Sequence, residues 1–520
     1  MDDEALRVEA DALLDADDLR GELIQVQLAR AALGPLDRGG DEEDEARVAL
    51  EAREAQLMHA LRPALRLEGA PARGEIVYAR GVAGTVELQE IDWGELDALI
   101  ALVRGRAPRC RRLVLHDVRN ADGVAALIDA LPSLAALELR DRHPMESGGG
   151  LPWGFAARAG RLEELAALLH EWTSYPIARA LSSGEWPRLR RLGLSGPGIA
   201  QVVTALDGRV PQLEALALDG EEVTVETLPA LLGIARRPLC EVVLRGPRLD
   251  RGALASLAVL PEGALRQVSV GAQFSIDEIC ALLEEPAAFA LEELRFSGRC
   301  AVGGERVGPV STPARALALE MEGEAIEALA QRLIAPALRT LTLGVATAAA
   351  LRESWLDGVV ELTLRTRAGA AVRAETRRPT VVRALTLDLE GRDSGAIVDG
   401  LDLSSLRRLE VRATTIYGSE PGDLAAFARI EAPRVRALRL VGPITDETIG
   451  ALAGWASATG LVLLALVTTR ELSARAVASL TDERRFPRLT TLVLGPWTKV
   501  DEDDWPRLTA RFGAGLVRER

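Results

Sequence analysis

The sequence predicts an α/β solenoid, a stack of strand–turn–helix units with one parallel sheet along one face and helices along the other. Three observations predict it. A short pattern, L-x-x-L-x-L, recurs along most of the 520 residues at near-constant spacing. Its x-L-x-L half alternates with the period of a strand that shows one face to a core. The chain is 48% hydrophobic but only 3% aromatic. One small aliphatic set must then fill every layer, as a repeated cross-section requires. The length also exceeds what a single globular core accommodates.

Residues 1–68 are strongly charged and carry helical periodicity, interrupted at GPLDRGGDEEDE. Helices are expected over 3–33 and 41–62. This segment should cap the stack, because an open solenoid end exposes an apolar cross-section. The acidic run 41–45 reads as a solvated helix start, since carboxylates suit a helix N-terminus.

The array is expected over residues 69–498. Clear copies of the pattern include Leu134/Leu137/Leu139, Leu189/Leu192/Leu194, Leu213/Leu216/Leu218, Leu291/Leu294/Phe296, Leu338/Leu341/Leu343, Leu406/Leu409/Val411 and Leu489/Leu492/Leu494. Most steps between copies are 21 to 29 residues, and the step from 139 to 194 is 55. That long step holds either a degenerate copy around Leu162 and Leu165 or an inserted loop, HPMESGGGLPWG. A first copy is expected at Val86 and Leu88, for about 16–17 repeats. Ala/Leu-rich stretches follow the strands at helical spacing, as in TVETLPALLGIARR, SIDEICALLEE and TDETIGALAGWA. Ser275, Thr445 and Ser473 stand as N-caps. Strands spaced about 4.8 Å apart, backed by helices needing about 8–10 Å, force a bend. The expected inner arc is roughly 75–80 Å. Residues 499–520 should close the far end, with Trp497, Trp505 and Phe512 providing apolar cover.

Residues 80–498 resemble leucine-rich repeats of the helix-backed, ribonuclease-inhibitor-like subtype. The resemblance implies a curved horseshoe, with a parallel β-sheet on the concave face and helices on the convex face. One departure stands out. The family carries Asn or Cys three residues after the last strand Leu, where Pro197, Pro247 and Pro443 stand here. The side-chain ladder is then largely missing, and the turn amides need other partners, although proline itself has no N–H. ADALLDADDLRGELIQVQLARA resembles the repeat-companion domain that precedes repeat arrays in some large bacterial proteins. The matching residues are Ala10, Asp11, Leu14, Asp18, Arg20, Gly21, Glu22, Ile24, Gln27 and Leu28.

Charge and cysteine usage narrow the function. The net charge is −15, which speaks against a nucleic-acid partner, because phosphate binding needs a positive surface. Four scattered cysteines, Cys110, Cys240, Cys280 and Cys300, lack zinc spacing and are too few for a disulfide framework. The acidic N-terminus is unlike a secretory signal, and no stretch is apolar for long enough to span a bilayer. A cytoplasmic protein without membrane contact, cofactor or metal is expected.

Catalytic motifs fail on inspection. His170 and Glu171 begin H-E-x-x-H, but Ser174 replaces the second histidine that would hold zinc. Gly193, Ser195 and Gly196 approach G-x-S-x-G, but Pro197 replaces the last glycine. SGGGLPWG and AVGGERVGP lack the G-K-[ST] of a phosphate loop. The chain is expected not to be an enzyme.

The expected role is a protein-binding scaffold, its partner and oligomeric state unspecified. A regulatory or effector component acting on a partner enzyme, or a structural part of an assembly, is the alternative. The candidate surface is formed by the outward strand positions. These are Glu293, Arg295, Thr340, Thr342, Glu361, Thr363, Arg365, Thr386, Asp388, Arg408, Glu410, Arg412 and Arg439. Toward the C-terminus the same positions turn apolar, with Val441, Leu463, Ala465, Val467 and Val493. Arginine beside an apolar patch suits a protein interface. The alternatives are an ordinary solvated sheet face, or an apolar end covered by the C-terminal segment.

Overall fold

A computed structural model describes residues 3–33, 41–67, 72–79, 82–116, 118, 121–140, 160–169, 178, 182, 184–235, 237–249, 252–258, 260–302, 308–344, 354–366, 378–389, 401–413 and 424–519. The chain divides into two compact units, residues 62–312 and residues 1–61 with 313–520.

In the 62–312 unit, β1 (Arg66–Leu67), β2 (Arg73–Ala79) and β3 (Val82–Gln89) pair antiparallel. From β3 onward pairing is parallel, through β4 (Arg112–His116), β5 (Ala136–Arg140), β6 (Glu164–Leu168), β7 (Arg191–Ser195), β8 (Ala215–Asp219), β9 (Glu241–Arg245), β10 (Gln267–Ser275) and β11 (Glu293–Ala301). The last motif positions align strand to strand, from Leu88 through Leu115, Leu139, Ala167, Leu194, Leu218, Leu244 and Val270 to Phe296. All are buried. The 55-residue step therefore holds a degenerate repeat, with Ala167 in the place of the final leucine. The loop HPMESGGGLPWG lies outside the described residues.

The C-terminal unit repeats the arrangement in β12 (Ala316–Glu320), β13 (Thr340–Leu343), β14 (Glu361–Thr366), β15 (Ala384–Leu389), β16 (Arg408–Ala413), β17 (Ala437–Val441), β18 (Leu463–Val467), β19 (Thr491–Leu494) and β20 (Leu516–Arg518), all parallel. Each unit thus folds as a leucine-rich-repeat α/β stack. Each buried motif leucine contributes about 1.5–3 kcal/mol.

One hydrogen-bond device recurs in both units. The carbonyl of the residue just before a strand accepts two N–H groups from the next repeat. Ala135 and Ala136 donate to Arg111, Arg190 and Arg191 to Glu163, and Arg407 and Arg408 to Arg383. Backbone pairing thus locks neighbouring repeats in register before the strands proper begin.

The turns after the strands answer the missing asparagine ladder. Gly196, Gly220, Gly246 and Gly442 each donate their N–H to a carbonyl of the following repeat. A Cβ at Gly220 would lie 2.5 Å from the Gly196 oxygen, and one at Gly246 2.6 Å from the Gly220 oxygen. Glycine is required for so close an approach. Side chains satisfy other turns. Glu222 accepts from the N–H groups of Gly198 and Ala200, 2.7 and 3.0 Å away in the preceding repeat. Buried Thr498 accepts from the Thr468 amide at 3.2 Å and donates to Leu466 O at 3.1 Å.

Helices follow most strands. Ser275 and Thr445 form capping boxes with Glu278 and Thr448, and Ser473 caps its helix through Ala476 N. The expectation of a helix in every repeat needs correction. Ser354–Gly358 and Leu424–Arg429 form only 3-10 turns, and within TVETLPALLGIARR the helix is limited to Leu228–Leu232. Between Leu343 and Leu364 the step is 21 residues, which leaves little chain for α-helix once two strand–loop crossings are made.

At the N-terminus three helices replace the expected two: α1 (Asp3–Asp15), α2 (Leu19–Ala32) and α3 (Asp41–Leu65). The break falls where Asp17 adopts a left-handed φ of 58° and Asp18 caps α2 by accepting from Arg20 N at 2.9 Å. The Arg20 side chain, hydrogen-bonded to the same carboxylate, holds the Asp18 pKa below its ordinary value. A Cβ at Gly21 would lie 2.6 Å from Ala10 O, so glycine lets α1 and α2 close together. Arg53 of α3 forms a two-pronged pair with Glu22 of α2 at 2.6 and 2.7 Å. The R-G-E sequence thus performs three tasks: capping, close approach and pairing.

At the other end, Leu508 and Phe512 of the helix Trp505–Phe512 are buried, and β20 adds one more parallel strand. Trp497, expected to help close this end, is instead 69% exposed.

A candidate interaction surface on the strand face

Alternation decides which side chains face outward. In β16, Leu409 and Val411 point into the core, leaving Arg408, Glu410 and Arg412 on the opposite face. Register then builds rows across the C-terminal unit. Ala318, Thr342, Thr363, Thr386, Glu410, Arg439, Ala465, Val493 and Val517 form the central row. Thr340, Glu361, Ala384, Arg408, Ala437, Leu463 and Thr491 form the row before it. The candidate residues from Thr340 to Val467 therefore share one face of one unit. Glu293 and Arg295 sit on β11, in the 62–312 unit.

Between Thr340 and Arg412 this face is polar and partly open. Glu361 and Arg412 are exposed, and Thr342, Thr363 and Thr386 are half-buried. Arg365 lies 3.4 Å from Asp388 and 3.6 Å from Glu320. Arg412 hydrogen-bonds Glu410 at 2.9 Å. Arg439 bridges Glu410 at 3.5 Å and Glu519 at 3.1 Å.

The C-terminal end of the face is covered by α3. Ala55 packs with Leu463 on the buried cluster Ala465, Val493 and Val517, where Ala465 and Val493 are 3% and 4% exposed. Gln56 donates to Thr491 Oγ1 at 3.0 Å, and the Arg518 amide donates to His59 Nδ1 at 3.3 Å. Glu51 pairs with Arg408. Glu45 lies 3.1 Å from Arg436 and 3.9 Å from Arg488. Asp44 lies 3.3 Å from Arg383 and 3.8 Å from Arg407, and it is 2% exposed. Two readings of the sequence change here. The outward apolar patch is not wholly open, because Ala465 and Val493 are buried beneath α3. The acidic run is not simply a solvated helix start, since Asp44 and Glu45 meet four arginines.

The 62–312 unit carries a second feature that the sequence reading missed. Outward positions Ala166, Gly193 and Ala217 are small, and they line two adjoining depressions of about 190 and 340 Å³. Cross-strand ion pairs surround them. Arg112 lies 2.7 Å from Glu138 and 3.2 Å from Glu164, and Arg191 lies 3.1 Å from Glu241. His116 contacts Glu87 at 2.7 Å. Partial burial pushes the Glu138 pKa up, but hydrogen bonds from Arg112 and Arg140 outweigh it and hold the group below its ordinary value. The folded state thus gains from ionised Glu138 above that ordinary value and loses this gain as pH falls through the folded pKa. The stability gap between wild type and Glu138→Gln should be full at neutral pH. It should narrow below about pH 4.3 in thermal melts; a gap independent of pH would refute the assignment.

No disulfide joins the four cysteines, and burial pushes Cys110 up to about 11. Ser195 ends β7 on the outward side. His170, Glu171 and Ser174 lie outside the described residues, as does 303–307 of AVGGERVGP. Among the described residues no helix is long and apolar enough to cross a membrane.

No family profile matches this chain, and no curated protein does. Among solved structures it is similar to a chain of the Rad7–Elc1 complex of yeast, at 16% identity and a TM-score of 0.31, over 81% of this chain and 77% of that one. It is also similar to a Bacteroides fragilis protein, at 12% identity and a TM-score of 0.28, over 47% and 68%. A third likeness is to the TLR13–ssRNA13 complex, at 14% identity and a TM-score of 0.29, over 80% and 54%. The leucine-rich-repeat class rests on the strand registers described above, not on these likenesses.

Proposed function

We propose that the protein is a non-catalytic protein-binding scaffold, and that its binding surface is the outward strand face between Thr340 and Arg412. The observation that carries this reading is α3 itself. A helix is already seated on the same face, held by arginines just before and within successive strands, which supports reading the surface as one that receives protein. The open threonine row and Arg365 and Arg412 continue it. The net charge of −15 favours a protein over a nucleic-acid partner. In this reading residues 1–68 are the helical companion segment, 69–498 the array and 499–520 its closing piece. Resemblance of residues 10–28 to repeat-companion domains supports a bacterial origin, and four thiols outside any disulfide suit a reducing cytoplasm.

The test is capture of partners from native lysate by wild type and by Arg365→Glu/Arg412→Glu. Both side chains are more than two-fifths exposed, but each pairs with carboxylates, so the variant is first compared with wild type in thermal melts, and Arg365→Gln/Arg412→Gln, which adds no like charge, is carried through the capture alongside it. A partner held by wild type and lost by at least about tenfold in the variant, as removal of interface hot spots would give, supports the reading. Equal capture by both would move the site off this face.

A further inference from the structure

We propose that the C-terminal strand face is a receptor for an acidic α-helix with small residues at its centre, that α3 occupies it in cis, and that a partner helix of the same chemistry takes its place. This rests on the reading that the strand face is the binding surface, and it names the kind of partner.

The two sides of α3 differ in chemistry. Asp44, Val48, Glu51, Ala52, Ala55 and His59 follow one another at three- and four-residue steps and so share one side of the helix. Asp44, Glu51, Ala55 and His59 are the members with contacts to the strands. On the other side Arg53 and Glu54 pair with α2 through Glu22, Gln27 and Arg30. Leu57 and Leu61 lie on that same side and are buried, as are Leu23, Ile24, Val26 and Leu28 of α2. Leu57 and Leu61 therefore join α3 to its own helical group, while the strand-facing side carries carboxylates, His59 and the smaller apolar residues Val48, Ala52 and Ala55.

The seat is matched to that side by charge. Arg383, Arg407 and Arg436 occupy the same position in three successive repeats, immediately before each strand. Arg408 and Arg488 extend the positive surface. Charge complementarity of this type sets orientation and partner choice more than raw affinity. The Glu45 pairs and the Glu51 pair are partly exposed, so they are screened by salt and individually weak. The apolar contact centres on one alanine over Ala465, Val493 and Val517. Asp44 is the one buried carboxylate in this contact, so a partner helix displaces α3 by bringing a carboxylate to the same place. The advantage of α3 over a partner is its tether, which supplies an effective concentration of about a millimolar.

A labelled peptide of residues 41–62 serves as the probe, and full-length protein as the receptor. Glu45→Arg/Glu51→Arg should release α3 and bind the wild-type peptide at least about tenfold more tightly than wild-type protein does, because the cis competitor is weakened. Adding Arg408→Glu to that variant should reverse the gain. A peptide carrying the same two arginines should fail to bind. Equal peptide binding by wild type and the release variant would overturn the proposal. Hydrogen exchange on wild-type protein gives an independent reading that needs no variant. Amides 48–61 should exchange at least about 100-fold faster than those of β16 and β17, as a locally opening segment does; equal protection would also overturn it. Peptide binding is read at Glu45, Glu51 and Arg408, and partner capture at Arg365 and Arg412. Loss of capture by the Arg365/Arg412 variant without any peptide binding would refute this inference and leave the scaffold reading standing.

Discussion

Replacing Asp44 with alanine is expected to weaken the seating of α3 on the strands by about 3–5 kcal/mol, the usual cost of removing one partner from a buried ion pair. Asp44 is 2% exposed and Arg407 4%. The carboxylate lies within 4 Å of both Arg383 and Arg407, so its loss removes the opposite charge from beside the buried Arg407. Amides 48–61 should then exchange on the order of 100-fold faster or more, at about 1.4 kcal/mol per factor of ten. Glu42 and Glu43 supply the contrast. They belong to the same acidic run but are exposed, and their alanine variants should stay within about 0.5 kcal/mol of wild type. If all three substitutions behave alike, the acidic run acts by net charge alone and the specific role of Asp44 fails.

Trp455→Ala should cost the C-terminal unit about 3–5 kcal/mol in denaturant unfolding. The ring is 4% exposed and meets Phe427 edge-on, with centroids 5.4 Å apart and planes at 79°. Its Nε1 donates to Ile430 O at 2.9 Å, across to the preceding repeat. Alanine removes the ring and strands that carbonyl. Trp455→Phe separates the two effects, because it keeps an aromatic ring and removes only the donor. Its cost should be about 1–3 kcal/mol, that of an unmet buried hydrogen bond. Equal losses for Phe and Ala would mean that the hydrogen bond, not packing, is what Trp455 provides.

Strand positions were legible because the signal was local and repeated. Leu409 and Val411, or Leu438 and Leu440, announce their burial by alternation, and the next repeat confirms it. Even the copy at Leu165 and Ala167 could be suspected from spacing. Ser275, Thr445 and Ser473 were legible as caps for the same reason, since a cap acts within three residues. The break between α1 and α2 was not read, because DADD is polar in both a helix and a turn. Asp17 in a left-handed conformation decides it.

The destination of α3 was illegible for a different reason. Asp44 and Arg407 are more than three hundred residues apart, and nothing near either one marks the pairing. Two clues existed. Arginine recurs at one fixed position before three strands, at Arg383, Arg407 and Arg436. Leucine, alanine and valine occupy outward positions at 463, 465 and 493. Apolar residues on an outward face mean either a waiting partner or an existing cover. The sequence reading weighed only the C-terminal segment as cover, while the covering residue Ala55 comes from the N-terminal helix.

The doubly accepting carbonyl before each strand has a consequence for how such a chain can change length. Where neighbouring repeats are pinned at that point, the sheet side tolerates no added residue without losing its row. The return path has no such constraint. Steps of 21 and 29 residues coexist in one sheet whose rows stay aligned. Insertions and deletions are therefore absorbed almost wholly on the side away from the strands. Repeats of different length can thus stand side by side, while the spacing of side chains offered on the strand face stays as regular as the teeth of a comb.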